Sequence, residues 1–538
     1  MKRALASVLA LTLVLGGGGI LANADRDVFR VCVSAQDLTD SGTFGESITW
    51  KFDKNGTLTV SGTGDIKASS SFDYPWNKYA GKIKNLVIEE GITSVGYAAF
   101  ENCFYAETIK LPESVTSIGA SAFQFCEQVR EIKLPSNLEC IDMAAFGQCK
   151  ALESVDIPAA VKDIMPTAFE GCMGLHSISV APENKNYISV DNVLFTKDMS
   201  TLLCYASKRA GSEYTVPESV RSIRWSAFDY CSELETLNLG ANVEKLDRGI
   251  FRGSEKLAGI NVSADNSSFK STDGVVFSKD GKTLVAYPVG KGDEYTIPAG
   301  VEQLGEGAFV TAKFKKFAVT EGVKKIGLGC FENCTELTEV TLPDSLEEIA
   351  EQGFVSCGAL KTITIPENVK SIGDSAFTVC LGLESIIIEN AACEIYDSPS
   401  VMPYKIVMKG HDGSTTEAYA AKYDRKFESL DKQSDDGNKP DDGNKPDDGK
   451  TSDDKTTDDE TTDDETTSGE DNTVSKGDAN GDKDINVTDI AVTAAHIKGI
   501  KPLTEEQQKA ADVNGDENVN VTDIALIASH IKGIKPID

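Results

Sequence analysis

From Ile88 onward the apolar residues fall into a frame that returns every 23 residues. Aligned on a recurring Ala-Phe pair, residues 88–110, 111–133, 134–156 and 157–179 are consecutive copies. The frame resumes at 216–238 and 239–261, then at 297–318 (one residue short), 319–341, 342–364 and 365–387. It reads aliphatic-Pro at positions 1–2, Ile at 8, Ala-Phe at 12–13, Cys at 16, Leu at 19, and Ile or Val at 22. Apolar positions 22 and 1 flank a polar position 23, as in Ile132-Lys133-Leu134, the alternation of a short strand with one buried face. Proline at position 2 cannot donate to a ladder and ends that strand. The Ala-Phe-x-x-Cys-x-x-Leu stretch is spaced in threes and predicts a short helical turn packed on the strands. One such unit cannot enclose a core, whereas stacked units bury a continuous one. The pattern therefore predicts an α/β repeat solenoid, one strand per turn, with Phe100, Phe123, Phe146 and their equivalents as its spine.

Two stretches, 180–215 and 262–296, interrupt the frame and resemble each other, SVDNVLFTKDMSTLLCYA beside STDGVVFSKDGKTLVAYP. Both read as β-hairpin insertions. The copies LPESVTSIGASAFQFCEQVREIK and IPENVKSIGDSAFTVCLGLESII resemble the bacterial surface-antigen (BspA-like) type of leucine-rich repeat. The resemblance implies a leucine-rich repeat solenoid over 88–387, often used by such proteins to adhere to other surfaces, with the family's N-terminal cap over 25–87, Asn55-Gly56 its hairpin turn, and its C-terminal cap over 388–430.

Residues 431–477 hold 17 Asp and Glu against 6 Lys and almost no apolar side chain. Such a segment cannot offset chain entropy, so a disordered, self-repelling tether is expected. Beyond it, residues 478–502 and 512–536 are a duplication in which 18 of 25 positions are identical. Each copy opens with oxygen ligands at loop positions 1, 3, 5 and 12: Asp478, Asn480, Asp482 and Asp489, then Asp512, Asn514, Asp516 and Asp523. Three carboxylates and an amide converging on one point repel unless a hard divalent cation sits among them, and Ca²⁺ suits such oxygen sets. An apolar stripe follows each loop, as on an amphipathic helix. Position 12 is Asp rather than Glu, and position 6 is Lys483 or Glu517 rather than Gly, so neither loop is a full EF-hand. The loop-then-helix half motif, duplicated after a linker, resembles a type I dockerin. That resemblance implies a small all-α domain over 478–538 holding two calcium ions, the Asp484 and Asn518 carbonyls completing the two sets. It also implies a cohesin domain of a scaffoldin as partner, met through Val487, Thr488 and Lys498 or through Val521, Thr522 and Lys532.

Composition narrows the function. With 85 Asp+Glu against 53 Lys+Arg, a formal net charge of -32, the chain repels nucleic acid and anionic membranes. Four histidines, His176, His411, His496 and His530, are thin material for imidazole catalysis or a zinc site. Lys2 and Arg3 before the apolar run 4–21, then Ala22-Asn23-Ala24, read as a secretory signal over 1–24. A secreted, extracellular protein without a membrane span once processed is expected, attached to cells through the cellulosome. Of 13 Cys, eight occupy position 16 and read as a ladder of packed thiols, while Cys32, Cys140, Cys204, Cys330 and Cys393 leave any pairing open. The function expected is a non-catalytic cellulosome component in plant polysaccharide degradation, its solenoid binding a protein or glycan. The alternative is a polysaccharide-degrading enzyme, glycoside hydrolase or lyase, acting through solenoid carboxylates. Positions 21 and 23 of the strand face present no evident acid pair and no aromatic platform. Trp76, with Phe72, Tyr74 and Tyr79 near the N-terminal cap, and Trp225 are the aromatics left as ligand-binding candidates, against hydrophobic capping for the first group and packing on the neighbouring insertion for Trp225.

Overall fold

The computed structural model describes residues 40–431 except Ser69 and Phe72, and farther on residues 476–479, 485, 489, 492–493, 503–513, 519, 523 and 527. The secretory signal, Cys32 and residues 432–475 of the tether expected over 431–477 lie outside the described residues. The chain divides into two compact units, one with the repeats up to Asp435 and one within 436–538.

The first unit is a β-solenoid of about 15 turns, about 23 residues each, with little helix. Ordinary turns carry two strands rather than the one expected, except the 111–133 copy, where the first sheet is reduced to a bridge from Glu131 to Ser154. Positions 21 to 1 build a first parallel sheet, as where Ser154–Ile157 pairs with Ser177–Val180, Val155 against Ile178. Positions 7 and 8 build a second, as where Cys140–Ile141 pairs with Asp163–Ile164. A two-residue strand with one buried side chain has no period to read, which is why the pattern hid it.

The Ala-Phe stretch also departs from expectation, because it is not helical. In all ten turns positions 11 and 15 are left-handed, from Ala98 (φ 51) and Asn102 (φ 64) to Ser375 (φ 54) and Val379 (φ 61). A left-handed residue at each end stops a helix. The N–H groups then alternate in direction. Those of Ala98, Phe100 and Asn102 donate to Ala120, Ala122 and Gln124 of the next turn, while those of Ala99 and Glu101 turn back to Gly96 and Ala98. The inner loop is thus a third ladder between turns.

Inside, every side chain rests on its own equivalent. Phe100 stacks on Phe123 at 5.7 Å, and Phe331 on Phe354 at 5.0 Å with planes 1° apart. The position-16 thiols are donors as well as filling: Cys149 donates to the Phe123 carbonyl at 3.3 Å and Cys380 to Phe354 at 3.0 Å. Where Ser254 replaces cysteine, its hydroxyl donates to the Phe228 carbonyl at 2.5 Å. Outside, opposite charges sit one turn apart, such as Arg130 with Glu153 at 2.7 Å and Lys325 with Glu348 at 2.8 Å. Exposed pairs of this kind are individually weak, but together they oppose a slip in register.

Each interruption contains an antiparallel hairpin, Tyr187–Val190 with Val193–Thr196 and Phe269–Thr272 with Val275–Ser278. A third strand then returns to the second sheet, Thr201–Tyr205 pairing with Ser222–Ile223 and Thr283–Ala286 with Gln303–Leu304. Tyr205 and Tyr287 stand in for phenylalanine in the column, 5.2 Å from Phe228 and 5.4 Å from Phe309. One buried asparagine fastens each insertion. The Asn266 amide donates to the Gly240 and Val243 carbonyls and accepts from the Ser268 and Phe269 N–H groups. Asn184 does the same for the first insertion with Pro158, Val161, Asn186 and Tyr187.

The inserted turn has a shorter inner loop, 206–212 against 142–153 in an ordinary turn. Residues far apart in sequence meet on that edge. Arg252, 2% exposed, donates to Glu170 at 2.9 Å and to Glu332 at 2.8 Å. Burial lifts the carboxyl groups of Glu170 and Asp229 above the usual range while Arg252 opposes the rise. The solenoid ends are closed by three antiparallel strands, Asp40–Phe44, Ile48–Phe52 and Thr57–Gly62, and by the helix Thr415–Lys422. Among the described residues no helix is long and apolar enough to cross a membrane.

The left-handed positions make a signed test. At Gly307 (φ +61) an added Cβ would lie 2.7 Å from the Gly249 nitrogen. Gly307→Ala should therefore destabilise by more than about 1–2 kcal/mol, strain plus backbone clash. Ala144→Gly (φ 51 at Ala144) should stabilise by about 0.5–1 kcal/mol, the relief of strain less the added chain entropy. Urea midpoints of the two variants should move in opposite directions.

Candidate functional site

Three surfaces of the solenoid can be weighed. On the strand face, the first sheet is interrupted between Thr108–Lys110 and Ser154–Ile157. A groove of about 1430 Å³ opens there, lined by Arg130, Glu131, Lys133, Glu153 and Asp156 among others. Its lining has no aromatic ring, and Arg130 is already paired with Glu153. The groove mixes charged residues with aliphatic ones such as Ile132, Leu134 and Ile157, and it holds no sugar-stacking platform.

The aromatics separate into a structural group and one surface residue. Trp76 is 1% exposed, donates its indole N–H to the Ala99 carbonyl at 2.8 Å and heads the ring column on Phe100 at 5.5 Å. Tyr74 and Tyr79 are buried beside it. Trp76 is thus corrected from a ligand candidate to the first rung of the core, because its ring and its N–H are both spent there. Trp225 is only half-buried, with the Arg248 guanidinium 4.7 Å over its ring. Trp225 lines two cavities, one of about 260 Å³ at the first insertion and one of about 580 Å³ at the second.

Titratable groups offer little to a reaction. Burial pushes the thiols of Cys149 and Cys204 up to about 12 and lifts those of Cys172, Cys231 and Cys357 well above the free value, opposite to what a nucleophile needs. Burial alone raises Glu101 to about 7. A glycosidase needs a second carboxylate across a cleft, and Glu101 lines none of the three cavities described here.

In the second unit, Asp478, Asp489 and Asp523, at loop positions 1, 12 and 12, are buried and Asp512 is half-buried. Asp523 accepts the Val513 N–H at 2.9 Å, so position 12 of the second loop folds back onto position 2. The helix Glu505–Ala511 leads into Asp512, its start fixed by a reciprocal Thr504–Gln507 capping box. Its Ala510 carbonyl accepts the Gly477 N–H at 2.8 Å, which ties the start of the first loop to the entry of the second. Carboxylates withdrawn from water in so acidic a module fit a hard divalent cation. Asn480, Asp482, Asp484, Asn514, Asp516 and Asn518 lie outside the described residues, as do Val487, Thr488, Lys498, Val521, Thr522 and Lys532. Among the described residues no three metal-ligating side chains come together.

The asparagine fastener and the inner-loop ladder were missed from sequence. A signal for the first existed, since Asn184 and Asn266 occupy matching places in the two similar insertions.

Comparison with known families adds two matches. The BspA type leucine-rich repeat region matches residues 76–200, 203–281 and 291–399, in six copies. The type I dockerin domain matches residues 476–532. Similar solved structures include a leucine-rich repeat protein from Eubacterium ventriosum, 22% identical over 64% of this chain and 95% of that one, TM-score 0.39. Another is a leucine-rich cell surface protein from Faecalibacterium prausnitzii, 23% identical over 72% of this chain and 98% of that one, TM-score 0.36. No curated protein matches the chain.

The buried thiols yield a chemical test. The eight ladder cysteines are free and buried, while Cys140 is half-buried. Under native conditions Cys140 should be alkylated first and the ladder should resist, becoming reactive only on unfolding. Disulfides mapped between ladder cysteines by mass spectrometry would contradict the packing account.

Proposed function

We propose, for a chain that belongs to the BspA type leucine-rich repeat family and ends in a type I dockerin domain, that it is a non-catalytic binder delivered to a scaffold. The pairing of these two domains makes it a modular component of the cellulosome type, with a dockerin that implies a cohesin partner. The observation carrying the reading is that pairing in one chain: a repeat surface suited to holding a ligand and a module suited to being held. Secretion and attachment to the cell through the scaffold follow from the same reading.

In the dockerin half, two calcium ions would hold the loops. Asp478, Asn480, Asp482, Asp489 and the Asp484 carbonyl take one, and Asp512, Asn514, Asp516, Asp523 and the Asn518 carbonyl take the other. Calcium supplies the positive charge that lets these oxygens converge, and without it the loops should lose their fold. The two outward faces are near copies, Val487-Thr488 with Lys498 and Val521-Thr522 with Lys532. Either face could meet the same cohesin.

In the solenoid half, the repeats bind a protein in preference to a glycan. The strand-face groove lacks a ring for sugar stacking, and Trp76 is committed to the core.

Two measurements test this. Incubated with cellulose, xylan, pectin and mannan, the purified chain should release no sugar above buffer; product abolished by one Asp or Glu substitution would establish the enzyme instead. By calorimetry against one cohesin, disabling a single face (Thr488→Asp with Lys498→Glu) should cost about 0.4 kcal/mol, the loss of one of two equivalent modes. Disabling both faces, or chelating calcium, should cost several kcal/mol. A single-face variant as weak as the double would mean that one helix alone carries recognition.

A further inference from the structure

The second sheet is broken twice, once at each insertion. In ordinary turns the carbonyls at positions 6 and 8 accept N–H groups from the following turn. Glu139 and Ile141 accept from Lys162 and Met165, and Lys324 and Ile326 accept from Glu347 and Ala350. The strands Asp163–Ile164 and Lys245–Leu246 have no such follower. The strands that would follow them, Thr201–Tyr205 and Thr283–Ala286, pair on that side with their own hairpins.

The two breaks are finished differently. At the first, the chain plugs its own edge. The Tyr187 hydroxyl accepts the Ile164 N–H at 2.8 Å, and the Asn186 amide donates to the Lys162 carbonyl at 3.3 Å. At the second break the matching residues are Phe269, a ring without a hydroxyl, and Ser268, a side chain too short to cross. Among the described residues nothing donates to the Glu244 and Leu246 carbonyls. The cavity of about 580 Å³ lies against this edge, lined by Trp225, Leu246, Arg248, Val285, Val310 and Leu328.

We propose that this second notch takes an extended peptide of a partner protein as the strand the solenoid leaves out, parallel to Lys245–Leu246. The proposal rests on the reading of the repeats as a protein-binding surface and names the segment they take. Strand addition uses main-chain bonds for affinity and side-chain pockets for choice. The chain's own turns supply the complement, because opposite charges face each other one turn apart, as Arg221 with Glu244 at 2.7 Å and Lys325 with Glu348 at 2.8 Å. In that register the peptide sets Lys or Arg against Glu244, an acidic residue against Lys245, and Ile or Leu against Leu246. The aliphatic residue enters the apolar wall formed by Val285, Val310 and Leu328. Arg248, stacked on Trp225, adds a second cation for the acidic residue.

The probe is a fluorophore-labelled, amidated pentapeptide, Val-Lys-Glu-Ile-Gly, patterned on Val323–Gly327 with the acidic residue introduced, titrated against the full chain by anisotropy. Saturable binding is expected. Methylating the Lys and Gly nitrogens should weaken it at least tenfold, since the equivalent N–H groups of Lys324 and Gly327 donate to the Glu302 and Leu304 carbonyls. Transplanting the plug, Ser268→Asn with Phe269→Tyr, should also weaken it at least tenfold with the thermal midpoint unmoved. No saturable binding, or equal binding by the methylated peptide or by the plugged variant, overturns the proposal. So does a cell-wall oligosaccharide that binds wild type and not the plugged variant while the peptide does neither. A protein captured equally by both chains would overturn the notch and leave the protein-binding reading standing.

Discussion

Everything in the repeat unit depends on one constraint: each residue must lie on its own equivalent one turn away. The period of 23 residues turns a single sequence choice into a column. Phenylalanine becomes a stack of rings at 5.0–5.9 Å, cysteine a line of donors to the carbonyls of the previous turn, and lysine opposite glutamate a lattice of ion pairs. Parallel strands provide two ladders, and the alternating amides of the inner loop provide a third. No long helix is needed, because stability comes from contact with neighbours rather than from any single turn.

The insertions are where that constraint is relaxed, and the molecule answers locally. A tyrosine replaces the missing ring, a four-bonded asparagine anchors the hairpin, and the shorter inner loop accompanies the convergence of Arg252, Glu170 and Glu332. Breaking that cluster by removing the arginine alone would strand buried carboxylates, a far larger penalty than loss of a surface pair. At the open edge of Lys245–Leu246, among the described residues, no internal group replaces the missing strand.

What could be read from the sequence was what repeats as side chain. The phenylalanine column, the buried cysteines and the paired insertions are visible because one residue type recurs at one position. What could not be read was backbone. Positions 11 and 15 are left-handed in every turn, yet glycine holds only five of those twenty places, the rest being residues such as Ala98, Gln148 and Val379. Spacing by threes was therefore mistaken for helix, since tertiary hydrogen bonds to the next turn override local preference. Trp76 lies outside the repeat frame, so the sequence leaves capping and ligand binding both open for it, and the structure places it at the head of the column. The loops were legible as a calcium-binding type because side-chain oxygens recur at fixed spacing, and the dockerin match over 476–532 agrees with that type.

The most direct test of self-stacking is native-state hydrogen exchange in the inner loop, where neither helix nor sheet would lead one to expect protection. The amides of Phe100, Phe123, Phe331 and Phe354, which donate to the next turn, should be as slow as those of the adjoining strands. Exchange of these amides at the rate of an open surface loop, with the strands still protected, would contradict the account.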